Sequence, residues 1–97
     1  MLAPLNENEI VSSLKSLKRN WVQSENQKQI ELMISLENYD HGISLVQSIG
    51  KLANENWHHP ELCLSFKNLT IKLWTHDVQA LTKKDFDLAH LIEKLLP

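Results

Sequence analysis

The spacing of apolar residues alternates between helical and strand periods along the chain, which divides it into seven predicted elements. The first stripe predicts a helix over residues 7–19 and consists of Ile10, Leu14 and Leu17. Asn6 is suited to cap the start of this helix, and Glu9 stands where a capping box requires Glu or Gln. We therefore expect an amphipathic helix that packs its apolar stripe against a sheet.

Alternation of apolar and other residues after Gln29 predicts the clearest strand of the protein, with one apolar face formed by Ile30, Leu32, Ile34 and Leu36. A short strand over residues 21–23 is expected to pair with it. Two more strands are predicted over residues 62–66 and 69–75. The tight connection at residues 67–68 favours an antiparallel hairpin.

Two further helices are predicted where the apolar period returns to the helical value. The second covers residues 39–55, can be capped by Asn38 or Asp40, and has a stripe of Ile43, Val46, Ile49 and Ala53. The third begins at Thr82 and has one apolar side formed by Phe86, Ala89, Ile92 and Leu96. Each stripe needs a sheet or another helix to bury it.

These elements predict an α+β fold in which three helices pack on one face of a four-stranded antiparallel sheet. The 97 residues are expected to form a single domain, covering residues 1–97. The other face of the sheet would remain partly apolar and has as candidates Met33, Cys63 or Leu62, and Trp74. An apolar surface of this kind favours a partner subunit, so we expect a homo-oligomer.

Charge and composition exclude several classes of partner. The net charge is −2, and the densest basic stretch, KSLKR at residues 15–19, fits a solvated helix face better than a nucleic-acid interface. No apolar run reaches the roughly 18 residues that span a bilayer. The single cysteine, Cys63, excludes an internal disulfide and fits a reducing compartment, so a cytoplasmic location is expected.

Three histidines and one aspartate carry the candidate chemistry. His58 and His59 are adjacent, and Pro60 after them ends the second helix nearby, at a helix–strand junction. His76 follows the last strand, and Asp85 stands near the start of the third helix. We call His58, His59 and His76 the histidine set. The remaining histidines, each alone on a predicted helix, are expected to be ordinary surface residues; they are His41 and His90.

Other interpretations of these residues remain open. A metal site could combine the histidine set with Cys63 or Asp85, but adjacent histidines in extended chain point to opposite sides, so joint ligation of one ion is awkward. A thiol nucleophile is disfavoured because Cys63 falls in an apolar strand, which favours an inert core cysteine. Asp85 also completes a Thr-x-x-Asp capping box with Thr82, so it can serve as a helix cap instead.

The run from His58 to Asp85 resembles the pterin-4a-carbinolamine dehydratases, also called 4a-hydroxytetrahydrobiopterin dehydratases. Their pattern is His-His-Pro, five residues, an aromatic, nine residues, a histidine, eight residues and an aspartate. This chain has HHP at residues 58–60, then Phe66, His76 and Asp85, with every spacing correct. The similarity extends over nearly the whole chain, including LTKKDFDLAHLIEKL at residues 81–95, which looks like the family's last helix.

Four positions in or near this run depart from the family's usual residues. Asn54 stands where an acidic residue is usual, and Trp57 stands where a small polar or acidic residue is usual. The family's usual Gly-Gly is replaced here by Gln79-Ala80. These changes lie around the histidine set, so we expect them to affect pocket shape or proton transfer more than the type of reaction.

The resemblance implies dehydration of 4a-hydroxytetrahydropterin (pterin-4a-carbinolamine) to quinonoid dihydropterin by histidine acid–base catalysis, in tetrahydrobiopterin recycling. By this resemblance the histidine set would be catalytic, and Asp85 and Pro60 would support it. Apart from the resemblance, Trp57 and Glu55 are candidate substrate contacts, and the Trp57 ring can either stack on a flat heterocycle or pack in the core or an interface. The family needs no metal or cofactor and forms homodimers or homotetramers, with no nucleic acid or membrane implied. It also includes dimerisation cofactors of a transcription factor, so a non-catalytic binding module is the alternative.

Overall fold

The computed structural model describes residues 2–97 and confirms the predicted α+β fold. In chain order, the elements are α1 (Glu7–Ser16), β1 (Val22–Gln23), β2 (Ile30–Ser35), α2 (Tyr39–Glu55), β3 (Glu61–Leu64), β4 (Asn68–Leu73) and α3 (Lys83–Glu93). The four strands form one antiparallel sheet in the order β1-β2-β4-β3. None of the helices within residues 2–97 combines the length and the apolar content that crossing a bilayer requires.

The two faces of the sheet differ as the alternation of residues predicts. β2 and β4 pair in register, with Leu32 opposite Ile71. Their buried face joins one core cluster with the helices and consists of Ile30, Leu32, Ile34, Leu69, Ile71 and Leu73. The opposite face is open, since Met33 in the middle of β2 is 66% exposed.

The expectation that Cys63 is a core cysteine is wrong, because its thiol lies on the open face of the sheet. Cys63 is exposed and pairs with Thr70 of β4. Its neighbour Leu62 pairs with buried Ile71, so the inward positions of β3 belong to Leu62 and Leu64. An apolar run alone does not reveal which of its members point inward.

α1 begins as predicted and ends earlier than predicted. Its capping box is present, with Glu9 N–H donating to Asn6 Oδ1 and Asn6 N–H donating to Glu9 Oε1, both at 2.9 Å. The helix stops at Ser16 because the next free N–H groups bind α3 instead: Lys18 N and Arg19 N donate to the Glu93 carboxylate at 3.0 and 2.7 Å. The Trp21 indole N–H donates to the same carboxylate at 3.0 Å.

α2 has the predicted bounds, but its buried face is rotated from the predicted stripe. Ile43, expected in the core, is 41% exposed, whereas the buried residues are Gly42, Leu45, Ile49 and Ala53. The helix approaches the sheet through Gly42, since a Cβ there would clash with Leu64 and lie 2.7 Å from Leu36 Cδ1. A glycine at the point of closest approach thus sets the rotation of the helix.

The connection between β3 and β4 also differs from the prediction. The strands are shorter than predicted, and the turn covers residues 65–67, closed by Ser65 N–H donating to Asn68 O at 2.8 Å. Phe66 lies in this turn and is 71% exposed. Lys67 Nζ lies over its ring, 5.1 Å from the centroid.

The two glycines of α2 provide a matched test of this packing. Gly50→Ala should raise the free energy of unfolding by about 0.5–1 kcal/mol, because Ala is the better helix former and a Cβ there meets nothing within 4 Å. Gly42→Ala should lower it by about 1 kcal/mol or more, because overpacking outweighs that gain. Urea unfolding measures both values. Equal stabilisation by the two substitutions would contradict this account of the helix–sheet contact.

The hydrogen bonds that the Glu93 carboxylate accepts from Lys18, Arg19 and Trp21 predict a pH-dependent contribution to stability. Partial burial raises the pKa of Glu93, but the two backbone N–H groups and the Trp21 indole hold its charged form more strongly. With nearby His90 also favouring the anion, the pKa is lowered below its usual value. A lowered folded pKa means that the stabilisation is present above the unfolded pKa of about 4.3 and is lost as pH falls through the folded value.

Glu93→Gln should therefore lower the free energy of unfolding by about 1 kcal/mol at neutral pH. The gap between wild type and variant should be constant above about pH 5 and close on further acidification. Unfolding curves at a series of pH values measure it, with Glu37→Gln on the exposed surface as the control. A gap that stays constant down to about pH 3 would show that the charge of Glu93 is not involved.

Candidate active site

A cleft of about 360 Å³ lies where the end of α2 meets the segment that follows β4. The whole histidine set opens onto it, although the set comes from two separate parts of the chain. The other main lining residues are Trp57, Thr75, Asp77 and Lys84. A volume of this size falls at the lower end of the range for small-molecule sites. A wider groove of about 620 Å³ lies on the open sheet face, but no histidine lines it.

The end of α2 fixes the position of His58. Trp57 has a φ of 53° and lies within the turn that ends the helix. In this turn, His58 N–H donates to Ala53 O at 3.2 Å. Trp57 N–H donates to Asn54 O at 3.4 Å, and the two bonds together form a Schellman motif. This turn buries His58, which is 8% exposed, and leaves His59 exposed.

A fully buried carboxylate holds the ring of His58. His58 Nε2 lies 2.6 Å from Asp85 Oδ1. The other carboxylate oxygen, Oδ2, accepts Thr82 N–H and the Thr75 hydroxyl, both at 2.9 Å. From the sequence, Asp85 could either cap α3 or orient a histidine. The structure shows both contacts, because the carboxylate has one oxygen for each.

The hydrogen bonds around Asp85 form a chain in which each group donates towards the carboxylate. Lys84 N–H donates to Thr82 Oγ1, which lies 2.7 Å from Thr75 Oγ1, whose proton goes to Asp85. Because the oxygens of a carboxylate can only accept hydrogen bonds, His58 Nε2 is the donor in its contact with Asp85 Oδ1. In neutral His58, the other nitrogen, Nδ1, is therefore left as an acceptor.

His58 Nδ1 is not sealed inside the protein. It has no hydrogen-bond partner within residues 2–97, and the only sealed side-chain nitrogen or oxygen without a partner in that range is His41 Nδ1. Because His58 lines the cleft, we infer that a small molecule in the cleft can reach this accepting nitrogen. This arrangement suits a general base.

The other two histidines are held less tightly. His76 is exposed and stacks on Trp74, with ring centroids 4.3 Å apart and planes 25° apart. Its carbonyl accepts the side-chain N–H of Gln79 at 2.8 Å. His59 Nε2 lies 2.9 Å from the amide oxygen of Asn54, which stands where the resembling family usually has an acid. A neutral amide still orients His59, but it does not supply the charge of a carboxylate.

Some residues of the sequence-based site do not line the cleft. Glu55, the last residue of α2, is exposed outside it, and Phe66 lies in the turn between β3 and β4. Pro60 is half-buried between His59 and β3 without lining the cleft. Trp57 does line it and is 84% exposed.

Four cleft residues were missed from the sequence: Leu2, Thr75, Asp77 and Lys84. Thr75 could have been recognised from the alternation in β4, because it continues the inward positions of Ile71 and Leu73 and is a polar residue at a buried position. Asp77 and Lys84 are direct neighbours of motif residues, but nothing in their spacing distinguishes them from ordinary surface charges.

The donor atoms do not suit a metal ion. Within residues 2–97, no group of three His, Cys, Asp or Glu side chains is arranged to hold one. His58 Nε2 is already engaged by Asp85, and Cys63 lies on the open sheet face rather than at the cleft. The geometry favours proton transfer over metal ligation.

The chain resembles known proteins in both sequence and fold. The family model described as pterin 4 alpha carbinolamine dehydratase matches residues 3–95. A protein of Aquifex aeolicus is 35% identical over 99% of this chain and 94% of its own length. One of Roseiflexus castenholzii is 34% identical over 99% of this chain and all of its own. Their names assign both provisionally to pterin-4-alpha-carbinolamine dehydratase.

Two solved structures share the fold. The crystal structure of a transcriptional coactivator/pterin dehydratase from Brucella melitensis has a TM-score of 0.91 at 19% identity, over 98% of this chain and 100% of that one. A pterin dehydratase-like protein described as a RuBisCO assembly factor in the alpha-carboxysome has a TM-score of 0.68 at 13% identity. The match covers 80% of this chain and 90% of that one. At these identities the likeness concerns the fold alone. The family match, with relatives above 30% identity over almost the whole chain, shows that this chain belongs to the pterin-4-alpha-carbinolamine dehydratase family.

Proposed function

We propose that this protein removes water from pterin-4a-carbinolamine to give quinonoid dihydropterin, as a step of tetrahydrobiopterin recycling in the cytoplasm. The observation that carries the proposal is the cleft onto which His58, His59 and His76 all open. Membership of the dehydratase family supports the substrate class. The expected assembly is a homodimer or homotetramer.

The reaction needs two proton transfers on one flat, bicyclic substrate. A proton must reach the hydroxyl at ring carbon 4a so that it leaves as water, and a proton must leave the neighbouring ring nitrogen. Imidazole suits both tasks, because near neutral pH it is populated in both protonation states. Such assistance typically accelerates a reaction by about 10²–10⁴-fold.

The contacts of each histidine support a division of roles. His58 is the proposed base, because Asp85 holds a proton on Nε2 and leaves Nδ1 as the acceptor. Once His58 is protonated, the buried carboxylate stabilises the imidazolium. His76 is the proposed acid, because its exposed ring can regain a proton from solvent. His59, tied to Asn54, would orient the pterin.

A non-catalytic binding or assembly role is the second candidate. It is favoured by the open sheet face, where Met33 is 66% and Val22 is 55% exposed, and by the loss of the usual acid at Asn54. The structural neighbour from the alpha-carboxysome is described as an assembly factor, which is a role of the same class. Turnover separates the two candidates, since a binding module would not accelerate dehydration.

His76→Ala should reduce enzyme-accelerated dehydration by about 100-fold or more, because the proposed acid is removed. Stopped-flow absorbance on chemically generated 4a-hydroxytetrahydropterin measures the rate. His76 is exposed, so the far-ultraviolet circular dichroism and Tm should change little. His90→Ala, outside the cleft, is the matched control and should keep the wild-type rate. Unchanged turnover in His76→Ala would remove this residue from the mechanism.

Asp85→Asn should lower turnover by about 100-fold, because an amide N–H facing His58 Nε2 would favour the opposite tautomer. The same change disturbs the N-cap of α3, so the free energy of unfolding should fall by about 1–3 kcal/mol. Rates are therefore compared where unfolding curves show both proteins folded. Asp87→Asn, two residues further along α3 and exposed, is the control. A folded Asp85→Asn protein with wild-type turnover would exclude the orienting role.

A further inference from the structure

The tryptophans of this chain have different surroundings. Trp21 is buried, and its indole N–H donates to Glu93. Trp74 stacks on His76. Trp57 is 84% exposed, and its indole N–H has no partner within residues 2–97. A large aromatic side chain is thus left in water, where it adds little to the packing of the core.

The backbone at Trp57 is strained as well. Its φ of 53° lies in the left-handed region, and it occupies the position of the Schellman motif where glycine is preferred. A bulky side chain there costs free energy that glycine would not. With little packing to offset this cost, the fold gives no reason for a tryptophan at this position. Strain of this kind is concentrated at functional sites.

Trp57 also stands at the proposed site of reaction. It lines the cleft and is the residue directly before His58, so the turn that strains it also places the proposed base. One face of the His76 ring is already covered by Trp74. The Trp57 indole is therefore an aromatic surface at the cleft that remains free for a ligand.

We propose that Trp57 is a substrate-contact residue whose indole stacks on the flat pterin ring at the open end of the cleft. This inference rests on the proposed function for the identity of the ligand. An indole stacks well on a planar heterocycle and tolerates variation in its substituents. The strain is retained because the contact strengthens substrate binding. Stability and affinity should then change in opposite directions when Trp57 is replaced.

The test compares Trp57→Gly, Trp57→Asn and Trp57→Phe with wild type. Gly and Asn suit the left-handed backbone and lack an aromatic ring, so both should raise Tm, Gly by about 4 °C. Both should raise KM for the carbinolamine, and the Kd of a 7,8-dihydropterin probe, about tenfold. Trp57→Phe keeps both ring and strain, so Tm and KM should stay near the wild-type values.

Gln27→Gly is the matched control, because Gln27 has a φ of 62° in the turn between β1 and β2, outside the cleft. It should raise Tm without changing KM or Kd. Trp57→Gly with unchanged KM and Kd would overturn the inference while wild-type turnover still supports the proposed function. Trp57-dependent dihydropterin binding without wild-type turnover would overturn the proposed function alone, and no binding by wild type would overturn both.

Light scattering separates substrate contact from self-association. If Trp57→Gly dissociates an oligomer and leaves Kd unchanged, then the exposed indole serves a subunit interface and the inference is wrong. If the oligomeric state is unchanged while Kd rises, the indole acts on the pterin.

Discussion

The arrangement of the cleft depends on one buried carboxylate. Asp85 connects the end of α2, through His58, with the segment after β4, through Thr75, and with the start of α3, through Thr82. A fully buried carboxylate is tolerated only when its oxygens are bonded, and here each oxygen has at least one donor. The interaction that completes the helix cap is therefore also the one that orients the proposed base.

Much of the fold could be predicted from the sequence where local chemistry decides it. The capping residues Asn6 and Thr82 lie where their side chains satisfy free N–H groups, and the alternation in β2 gives its buried face. The failures occur where distant contacts decide. The end of α1 depends on Glu93, which lies far along the chain, and the rotation of α2 depends on the close approach of Gly42 to the sheet.

The candidate site divides in a similar way. Family spacing identifies His58, His76 and Asp85, because a motif records which residue types meet. It does not show which oxygen of Asp85 contacts which partner. It also omits Thr75, which is recognisable only once the inward register of β4 is known. Trp57 and Gln79 depart from the family and adopt positive φ values of 53° and 51° beside the cleft. The chain-specific features thus concentrate at the rim, while both oxygens of the buried Asp85 carboxylate have hydrogen-bond donors.

The protonation pattern of His58 tests the central interaction most directly. Proton–nitrogen correlation spectra of the ¹⁵N-labelled protein distinguish a protonated ring nitrogen from an unprotonated one, and His58→Gln identifies the signals. For the uncharged ring, we expect a proton on Nε2, shared with Asp85, and an unprotonated Nδ1. A neutral His58 with its proton on Nδ1, or one that exchanges freely between both tautomers, would contradict the orienting role of the buried carboxylate.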